Sequence, residues 1–335
     1  MTTEQVVALP LTTTRADQTV PTLTMAHIDH IAPHELARLW QRLRPWQSIR
    51  DMEAVMSNYT HETVPTRFVE NGGIRYAYRR FGKPGGPPLL CLEYFNSNMD
   101  GWDPAVTNSL AADHEVILFD NAGVGASGGE TPETIVEMTR HCAAFCGALG
   151  LKAIHVVGFS LGGMIAQQLA LDHPHLIRRL ILLGTGPRGG EGMTFTELSA
   201  EEQADPVGFL LGAFFTRSET SQAAGRAYMK RLDSRKADRD LPVSRSSAVA
   251  QLAAIREWGT IPATGRYSTL KDITHPTLIV HGNQDIVVAP INALILVEHL
   301  PNAQLVVYSD SSHGAQYQHA QLFLEHVKLF LSGCD

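Results

Sequence analysis

The sequence predicts an α/β fold, namely a mostly parallel, doubly wound sheet of eight strands with helices on both faces. From residue 88 onward, short buried strand patterns alternate with helical patterns, which is typical of a parallel sheet. Its clearest unit is AIHVVGFSLGGMIAQQLA, residues 153–170, where a β-branched strand leads directly into an amphipathic helix. Residues 191–268 interrupt the alternation with helical patterns alone, which predicts an insertion between two strands.

Composition excludes several classes of protein. The 335 residues are 44% hydrophobic and carry a formal net charge of −7, with Lys and Arg scattered along the chain, so neither nucleic acid nor an anionic membrane is an expected partner. No apolar run approaches the roughly 20 residues of a membrane span, and no secretory signal pattern opens the chain. The four cysteines, Cys91, Cys142, Cys146 and Cys334, form no disulfide framework. We therefore expect a cytoplasmic protein.

Residues 1–65 precede the alternating pattern and are predicted to form an N-terminal arm with helices. The first 24 residues are rich in Thr, whereas residues 34–58 show helical spacing of apolar side chains. This arm is expected to cover the core, cap an edge of it, or pair with a second copy, so a homodimer is left open. Three histidines in it, His27, His30 and His34, lack matching Cys or carboxylate ligands, and no metal site is expected.

Residues 66–190 and 269–335 are predicted to form the α/β core, and residues 191–268 a helical cap. A hairpin over residues 66–81, around Asn71-Gly72-Gly73, opens the core. The strands that follow are Pro88–Leu92, Glu115–Asp120, Ile154–Val157, Leu180–Leu183, Thr277–Val280 and Gln304–Tyr308. The other helices of the core are Pro104–Ala112, Pro132–Leu149, Pro290–Leu300 and Ala315–Leu331, and those of the insertion are Thr196–Ala204, Pro206–Phe215, Thr220–Leu232 and Arg245–Trp258.

Ser160 stands at the tip of the strand–turn–helix unit, with Gly158 and Gly162 two residues to either side. A turn this sharp brings its two flanks together, so residues without a side chain are needed there. The serine is expected to be strained, with the helix N-terminus behind it favouring negative charge. A glycine-rich turn with an idle serine is the alternative.

A serine acts as a nucleophile only with a base and an orienting acid. The carboxyl ends of parallel strands share one rim, which brings the loops at 281–285 and 309–314 near Ser160. These loops carry Asp285 and His313. His281 is an alternative base, and Asp310 is an alternative acid. Asp285 could instead cap the helix near residue 290, and His313 could be a surface histidine.

The motif G-x-S-x-G between a strand and a helix resembles the nucleophile elbow of the α/β-hydrolase family, and the order Ser160, Asp285, His313 matches that family's Ser…Asp…His order. The resemblance, over residues 66–332, implies Ser160 as nucleophile, His313 as general base and then acid, and Asp285 as the group that fixes the imidazole tautomer.

The family's oxyanion hole implies two backbone N–H donors, from Leu161 and from Phe95 in the loop after the third strand. Many members carry His-Gly at this loop, whereas this chain has Glu93-Tyr94. A large side chain therefore has to be placed near the site. Glu93 is expected to be a buried carboxylate hydrogen-bonded to loop amides, with a second catalytic acid as the alternative.

Residues 120–127, DNAGVGAS, also resemble a family motif, D-x-x-G-x-G-x-S. A dinucleotide fingerprint requires G-x-G-x-x-G at the start of a helix with an acid about 20 residues later, and this turn does not fit it. We expect a structural turn beneath the rim and no cofactor.

The helices of the insertion carry apolar residues at helical spacing, most of which are expected to be core. Phe209, Phe214 and Trp258, together with Tyr94, are predicted to contact a small, partly apolar substrate. The resemblance implies a serine hydrolase that cleaves a carboxylic ester or lactone, without metal or cofactor. A carbon–carbon bond hydrolase and a cofactor-free perhydrolase on the same fold remain open, as does a non-catalytic ligand-binding protein.

Overall fold

The computed structural model describes residues 59–193, 199 and 204–333, all within one compact unit. Several predictions concern the rest of the chain and lie outside these residues: the N-terminal arm with its histidines and its homodimer, most of the Thr196–Ala204 helix, and Cys334. Within the described residues, no helix is both long and apolar enough to cross a membrane.

Eight strands form a single sheet, which confirms the predicted fold class. Their order is β1-β2-β4-β3-β5-β6-β7-β8; β1 and β2 run antiparallel to their neighbours, and the other six strands are parallel. The strands are β1 Arg67–Asn71, β2 Ile74–Gly82, β3 Leu89–Leu92, β4 Glu115–Phe119, β5 Ile154–Phe159, β6 Ile177–Leu183, β7 Thr277–Gly282 and β8 Ala303–Tyr308.

Helices connect the parallel strands, and three of the described helices lie in the connection between β6 and β7. The core helices are α1 Pro104–Ala111, α2 Ile135–Ala148, α3 Leu161–Asp172, α7 Ile291–His299, α8 Ala315–Gln318 and α9 Ala320–Leu331. The three inserted helices are α4 Pro206–Phe214, α5 Glu219–Leu232 and α6 Arg245–Gly259. We refer to α4, α5 and α6 as the inserted helices.

The core has two apolar layers, one on each face of the sheet. Successive residues of a strand point to opposite faces, and the layers follow this alternation. Leu90 of β3 packs in the layer that contains residues of α2, α3 and α7, whereas Leu89 and Cys91 pack in the layer that contains residues of α1 and α9. Both layers are fully buried at the central strands, which explains why these strands read as continuous apolar runs.

Two of the described helices differ from the prediction by more than one residue at an end. Helix α2 begins at Ile135 and not at Pro132, because the Thr134 side chain accepts a hydrogen bond from Glu137 N–H and so caps the helix. The predicted helix over residues 315–331 is divided into α8 and α9 at His319, whose φ of −109° and ψ of 40° are not helical.

The order of strands places a topological switch point between β3 and β5. The chain runs outward from β3 to β4, on one side, and from β5 to β8 on the other. Open α/β sheets bind their ligands outside the carboxyl ends of the strands at such a point. Ser160 follows β5 directly, and residues 93–98 follow β3, so both lie at this crevice.

Candidate active site

Ser160 occupies a strained turn between β5 and α3. Its φ of 53° and ψ of −113° fall in a region that residues with a side chain rarely adopt. A Cβ added to Gly162 would lie 2.1 Å from the Leu92 carbonyl oxygen, and one added to Gly158 would lie 2.4 Å from the Gly162 oxygen. The two glycines thus permit the close contact between α3 and the strands that the sharp turn requires.

His313 and Asp285 form a buried pair at the ends of β8 and β7. The distance from His313 Nδ1 to Asp285 Oδ2 is 2.8 Å, and the side chains are 3% and 0% exposed. The other carboxylate oxygen, Oδ1, accepts hydrogen bonds from the N–H groups of Val287 and Val288. Because Nδ1–H donates to the carboxylate, the tautomer leaves Nε2 of His313 free to accept a proton.

The pKa of Asp285 reflects opposing effects. Burial acts to raise it, but the charge interaction with His313 and hydrogen bonds from His281 and His313 outweigh burial, so the pKa lies well below its usual range. Asp285 therefore remains a carboxylate at neutral pH and stabilises a positive charge on the His313 ring.

His281 contacts the same carboxylate from below. Its Nε2–H is shared between the Val288 carbonyl oxygen at 2.8 Å and Asp285 Oδ2 at 3.2 Å. The ring is 1% exposed and does not line the cavity that contains Ser160 and His313. This packing agrees with the interpretation that His281 lies beneath the turn and does not act as the base.

The contacts contradict two alternatives, Asp285 as a helix cap and Asp310 as the acid. Asp285 does not cap helix α7. Pro290 precedes the first residue of this helix, and no side chain caps it. Asp310 accepts hydrogen bonds from the hydroxyls of Thr216 and Ser218 and is not the partner of the imidazole. Only Asp285, among the acids of the described residues, is hydrogen-bonded to His313.

Ser160 and His313 line one cavity with a volume of about 540 Å³. Among the described residues, no hydrogen bond joins the Ser160 hydroxyl to the imidazole. Catalytic hydrogen bonds are often long or poorly aligned without substrate. The arrangement therefore presents a strained serine and a carboxylate-oriented imidazole to the same space.

The predicted oxyanion donors lie beside this serine. Leu161 is the first residue of α3, and Phe95, in the loop after β3, lines the cavity. Within the described part of the chain, neither N–H group donates a hydrogen bond to another protein group. Both therefore remain available for an oxygen atom bound in the cavity.

The prediction that Glu93 is a buried carboxylate hydrogen-bonded to loop amides is met only in part. Its Oε2 accepts a hydrogen bond from Ser97 Oγ at 3.2 Å, and its Oε1 is buried without a partner. Burial raises the pKa of Glu93 well above its usual range, more than the hydrogen bonds from Ser97 and the Tyr94 backbone lower it. Burial of Glu93 thus disfavours its charged form beside the predicted oxyanion loop.

The turn at residues 120–127 has the structural role expected of it. Ser127 Oγ donates to the Asp120 carbonyl oxygen and accepts from Ala77 N–H, which ties the turn to β2. The Asp120 side chain accepts a hydrogen bond from Met99 N–H through Oδ1. These contacts fix the floor of the crevice beside the loop after β3.

The cavity is lined mainly by apolar side chains. Tyr94, Phe209 and Phe214 line it as predicted, but Trp258 does not. Trp258 is 2% exposed, donates its Nε1–H to the Gly186 carbonyl oxygen, and packs in the core. An apolar stripe shows that a helix has a buried face, and it does not distinguish burial in the core from burial against a cavity.

Sequence reasoning missed several residues near the cavity. Arg245, at the start of α6, supplies the one Lys or Arg side chain among the described lining residues. Gln251, also on α6, is 4% exposed and accepts a hydrogen bond from Asn96 N–H beside the oxyanion loop. A polar amide among buried Ala, Leu and Ile of α6 was the available signal for Gln251. The described residues contain no cluster of three or more potential metal ligands.

Comparison with known families identifies the class to which this fold and site belong. The model of the alpha/beta hydrolase fold family matches residues 87–320. The chain belongs to this family, as the sequence resemblance implied.

Solved structures agree with this assignment. An alpha/beta hydrolase fold protein from Chitinophaga pinensis is 38% identical, with 82% of this chain and 100% of that chain covered and a TM-score of 0.78. Est816, described as an N-acyl homoserine lactone degrading enzyme, is 29% identical, with 79% and 100% covered and a TM-score of 0.61.

Curated relatives carry the names of different hydrolases. The pimeloyl-acyl-carrier-protein methyl ester esterase of Aeromonas hydrophila is 28% identical, with 75% of this chain and 97% of the relative covered. A 2-hydroxymuconate semialdehyde hydrolase from Pseudomonas sp. strain CF600 is also 28% identical, with 75% and 88% covered. These relatives support a hydrolase on this fold and are named for different substrates.

Proposed function

We propose that this protein hydrolyses a carboxylic ester or lactone of a small, partly apolar substrate through an acyl-enzyme on Ser160. The observation that carries the proposal is the cavity shared by the strained Ser160 and by His313. Asp285 Oδ2 lies 2.8 Å from His313 Nδ1, and this hydrogen bond fixes the imidazole tautomer. The relatives named as an ester esterase and a lactone degrading enzyme favour the same bond type. A cytoplasmic location remains a prediction.

In the first half-reaction, Ser160 Oγ attacks the carbonyl carbon while His313 Nε2 takes the hydroxyl proton. The carbonyl oxygen becomes an oxyanion between the N–H groups of Leu161 and Phe95. The intermediate collapses, the carbon–oxygen bond breaks, and the imidazolium gives its proton to the leaving alcohol. In a lactone the alcohol stays attached to the acyl group.

In the second half-reaction, His313 takes a proton from water, and the resulting hydroxide attacks the acyl carbon. A second oxyanion forms and collapses, His313 returns its proton to Ser160 Oγ, and the carboxylic acid leaves. The apolar lining from α4 and α6 would hold an apolar acyl or alcohol group.

The test combines labelling with turnover. A fluorophosphonate probe should modify Ser160, mapped by peptide mass spectrometry, and Ser160→Ala should lose both labelling and aryl-ester hydrolysis. Modification at another residue would contradict the site. Labelling of Ser160 without turnover of any ester or lactone would contradict the ester function, and cleavage of a vinylogous diketone would then assign the carbon–carbon alternative.

A further inference from the structure

The two oxyanion donors are held in different ways. Leu161 N–H is fixed by the start of α3, where Gly162 packs directly against the end of β3. Phe95 N–H belongs to residues 93–98, which form no helix or strand. We call these residues the β3 loop. Some other contact must hold Phe95 in place, because a loop lacks the regular backbone hydrogen bonds of a helix or a sheet.

The residue after Phe95 is strained. Asn96 has a φ of 58°, in the left-handed region that glycine adopts freely and that asparagine adopts more readily than most residues with a side chain, although at a cost. Such a conformation persists only where surrounding contacts determine it. The peptide N–H of Asn96 donates to Gln251 Oε1 at 2.7 Å, a short and therefore well-formed hydrogen bond.

Gln251 comes from the inserted helices and not from the core. It lies on α6, 155 positions from Asn96 along the chain, and its side chain is buried. The inserted segment ties down the following residues too: Asn98 Nδ2 donates to the Leu241 carbonyl oxygen, and Asp100 Oδ2 accepts from Asp240 N–H, both at 2.8 Å. Of these three hydrogen bonds, only that of Gln251 reaches a neighbour of Phe95; the other neighbour, Tyr94, packs its ring against Phe214 of α4.

We propose that Gln251 is a positioning residue for the oxyanion hole, which holds the β3 loop so that Phe95 N–H meets the developing oxyanion. This inference rests on the proposed function, because it assigns Phe95 as the second donor. The inserted helices then complete the catalytic geometry in addition to covering the substrate.

We expect the loss of Gln251 to weaken binding of the transition state and not of the substrate. Gln251 holds a backbone segment and would act on the oxyanion, which is absent in the bound ester. Loss of the amide oxygen should therefore lower kcat with little change in KM. Loss of a whole oxyanion donor costs about 10²- to 10³-fold in kcat, and a displaced donor should cost less, about 10- to 100-fold.

The first experiment measures aryl-ester hydrolysis by Gln251→Ala and inhibition by a trifluoromethyl ketone, whose serine adduct carries an oxyanion. We expect kcat to fall about 10- to 100-fold and the inhibitor to weaken by a similar factor, with KM within about threefold. The matched control is Gln222→Ala on α5, whose amide donates to the Thr216 carbonyl oxygen within the inserted segment; it should retain wild-type values.

The second experiment is a rescue. Asn96→Gly, added to Gln251→Ala, should restore most of the lost kcat, because glycine adopts a φ of 58° without strain. A purely structural role of Gln251 in folding would not be rescued in this way. If Gln251→Ala does not fold, Gln251→Met, which keeps the size and removes the acceptor, takes its place in both experiments.

Two results would overturn the inference: kcat within twofold of wild type in both Gln251 variants, or a loss that Asn96→Gly leaves unchanged. Failure of the proposed function is distinguishable, because the wild-type chain would then hydrolyse no ester or lactone, or Ser160→Ala would retain turnover. A chain that needs Ser160 but not Gln251 keeps the proposed function and loses only this inference.

Discussion

The rim of the sheet and the inserted helices contribute different things to the candidate site. The rim supplies the reactive groups: Ser160, Asp285 and His313 each follow a strand whose neighbours fix it. The inserted helices supply most of the cavity wall and also bind the loops that carry those groups. The Ala213 and Phe214 carbonyl oxygens of α4 accept from the N–H groups of His313 and Gly314. The proposed catalytic side chains thus follow strands of the sheet, whereas some of the contacts that hold their loops come from the inserted helices.

The largest expected effect separates two histidines on one carboxylate. His313→Ala should lower kcat at least about 10⁴-fold, because the serine loses its base. His281→Gln should cost less than about tenfold, because the ring lies outside the cavity and glutamine retains a donor for the Val288 carbonyl oxygen. Steady-state hydrolysis of an aryl ester measures both. Equal losses of kcat in the two variants would contradict the assignment of His313 as the base and of His281 as a supporting contact.

The next comparison concerns one glycine from each region. Gly162→Ala places a Cβ 2.1 Å from the Leu92 backbone oxygen, and we expect a loss of about 3 kcal/mol in the free energy of unfolding, or no folded protein. Gly212→Ala in α4 meets nothing within 4 Å, and helix propensity should stabilise it by about 0.5–1 kcal/mol. Urea denaturation compares the two. A neutral Gly162→Ala would contradict the tight elbow.

A buried pair of acids joins the two regions and makes stability depend on pH. A Cβ on Gly125 would lie 2.3 Å from Asp120 Oδ2 and 2.7 Å from Asp240 Oδ2, so these oxygens are neighbours. Burial, reinforced by Asp240, raises the pKa of Asp120 well above its usual range. Protonated Asp120 contributes its full stabilisation below the unfolded-state pKa of about 3.9. This contribution is lost as the pH rises through the folded-state pKa of Asp120.

Asp120→Asn should remove this loss, because an amide keeps the acceptor for Met99 N–H and donates to Asp240 without titrating. The variant should gain stability over wild type as pH rises from 5 to 8, by at most about 1.4 kcal/mol per pH unit. Thermal unfolding across this range measures it, with exposed Asp113→Asn as the charge control. A difference that does not change with pH would contradict the raised pKa of Asp120.

The smallest effect is expected in the cavity wall. Phe209→Ala on α4 removes a ring that lines the cavity and is only partly buried. KM for a long-chain aryl ester should rise about three- to tenfold, by roughly 1 kcal/mol of lost apolar contact, while the acetate ester changes less than twofold. A chain-length series of esters measures this. Equal changes for short and long esters would place the acyl group elsewhere.

The fold and the rim were predictable because their signals are local. The glycines around Ser160, and the loops after β7 and β8, each stand next to a recognisable strand, and parallel topology brings strand ends together. Contacts from the inserted helices were not predictable in this way, since Gln251 meets Asn96 only after the chain folds across 155 positions. Trp258 shows the same limit. The apolar stripe of α6 correctly predicted that the Trp258 ring is buried, but the ring packs in the core and not at the cavity.

The bond between the His313 backbone and α4 has a consequence for engineering. Exchanging the helical segment for that of a relative, in order to alter the range of accepted esters, would also exchange the carbonyl groups that anchor the imidazole loop. A chimaera should therefore lose turnover on every substrate unless the transplanted helix ends with acceptors at the same two places. Substrate range and turnover of the proposed enzyme would then both depend on these two peptide oxygens.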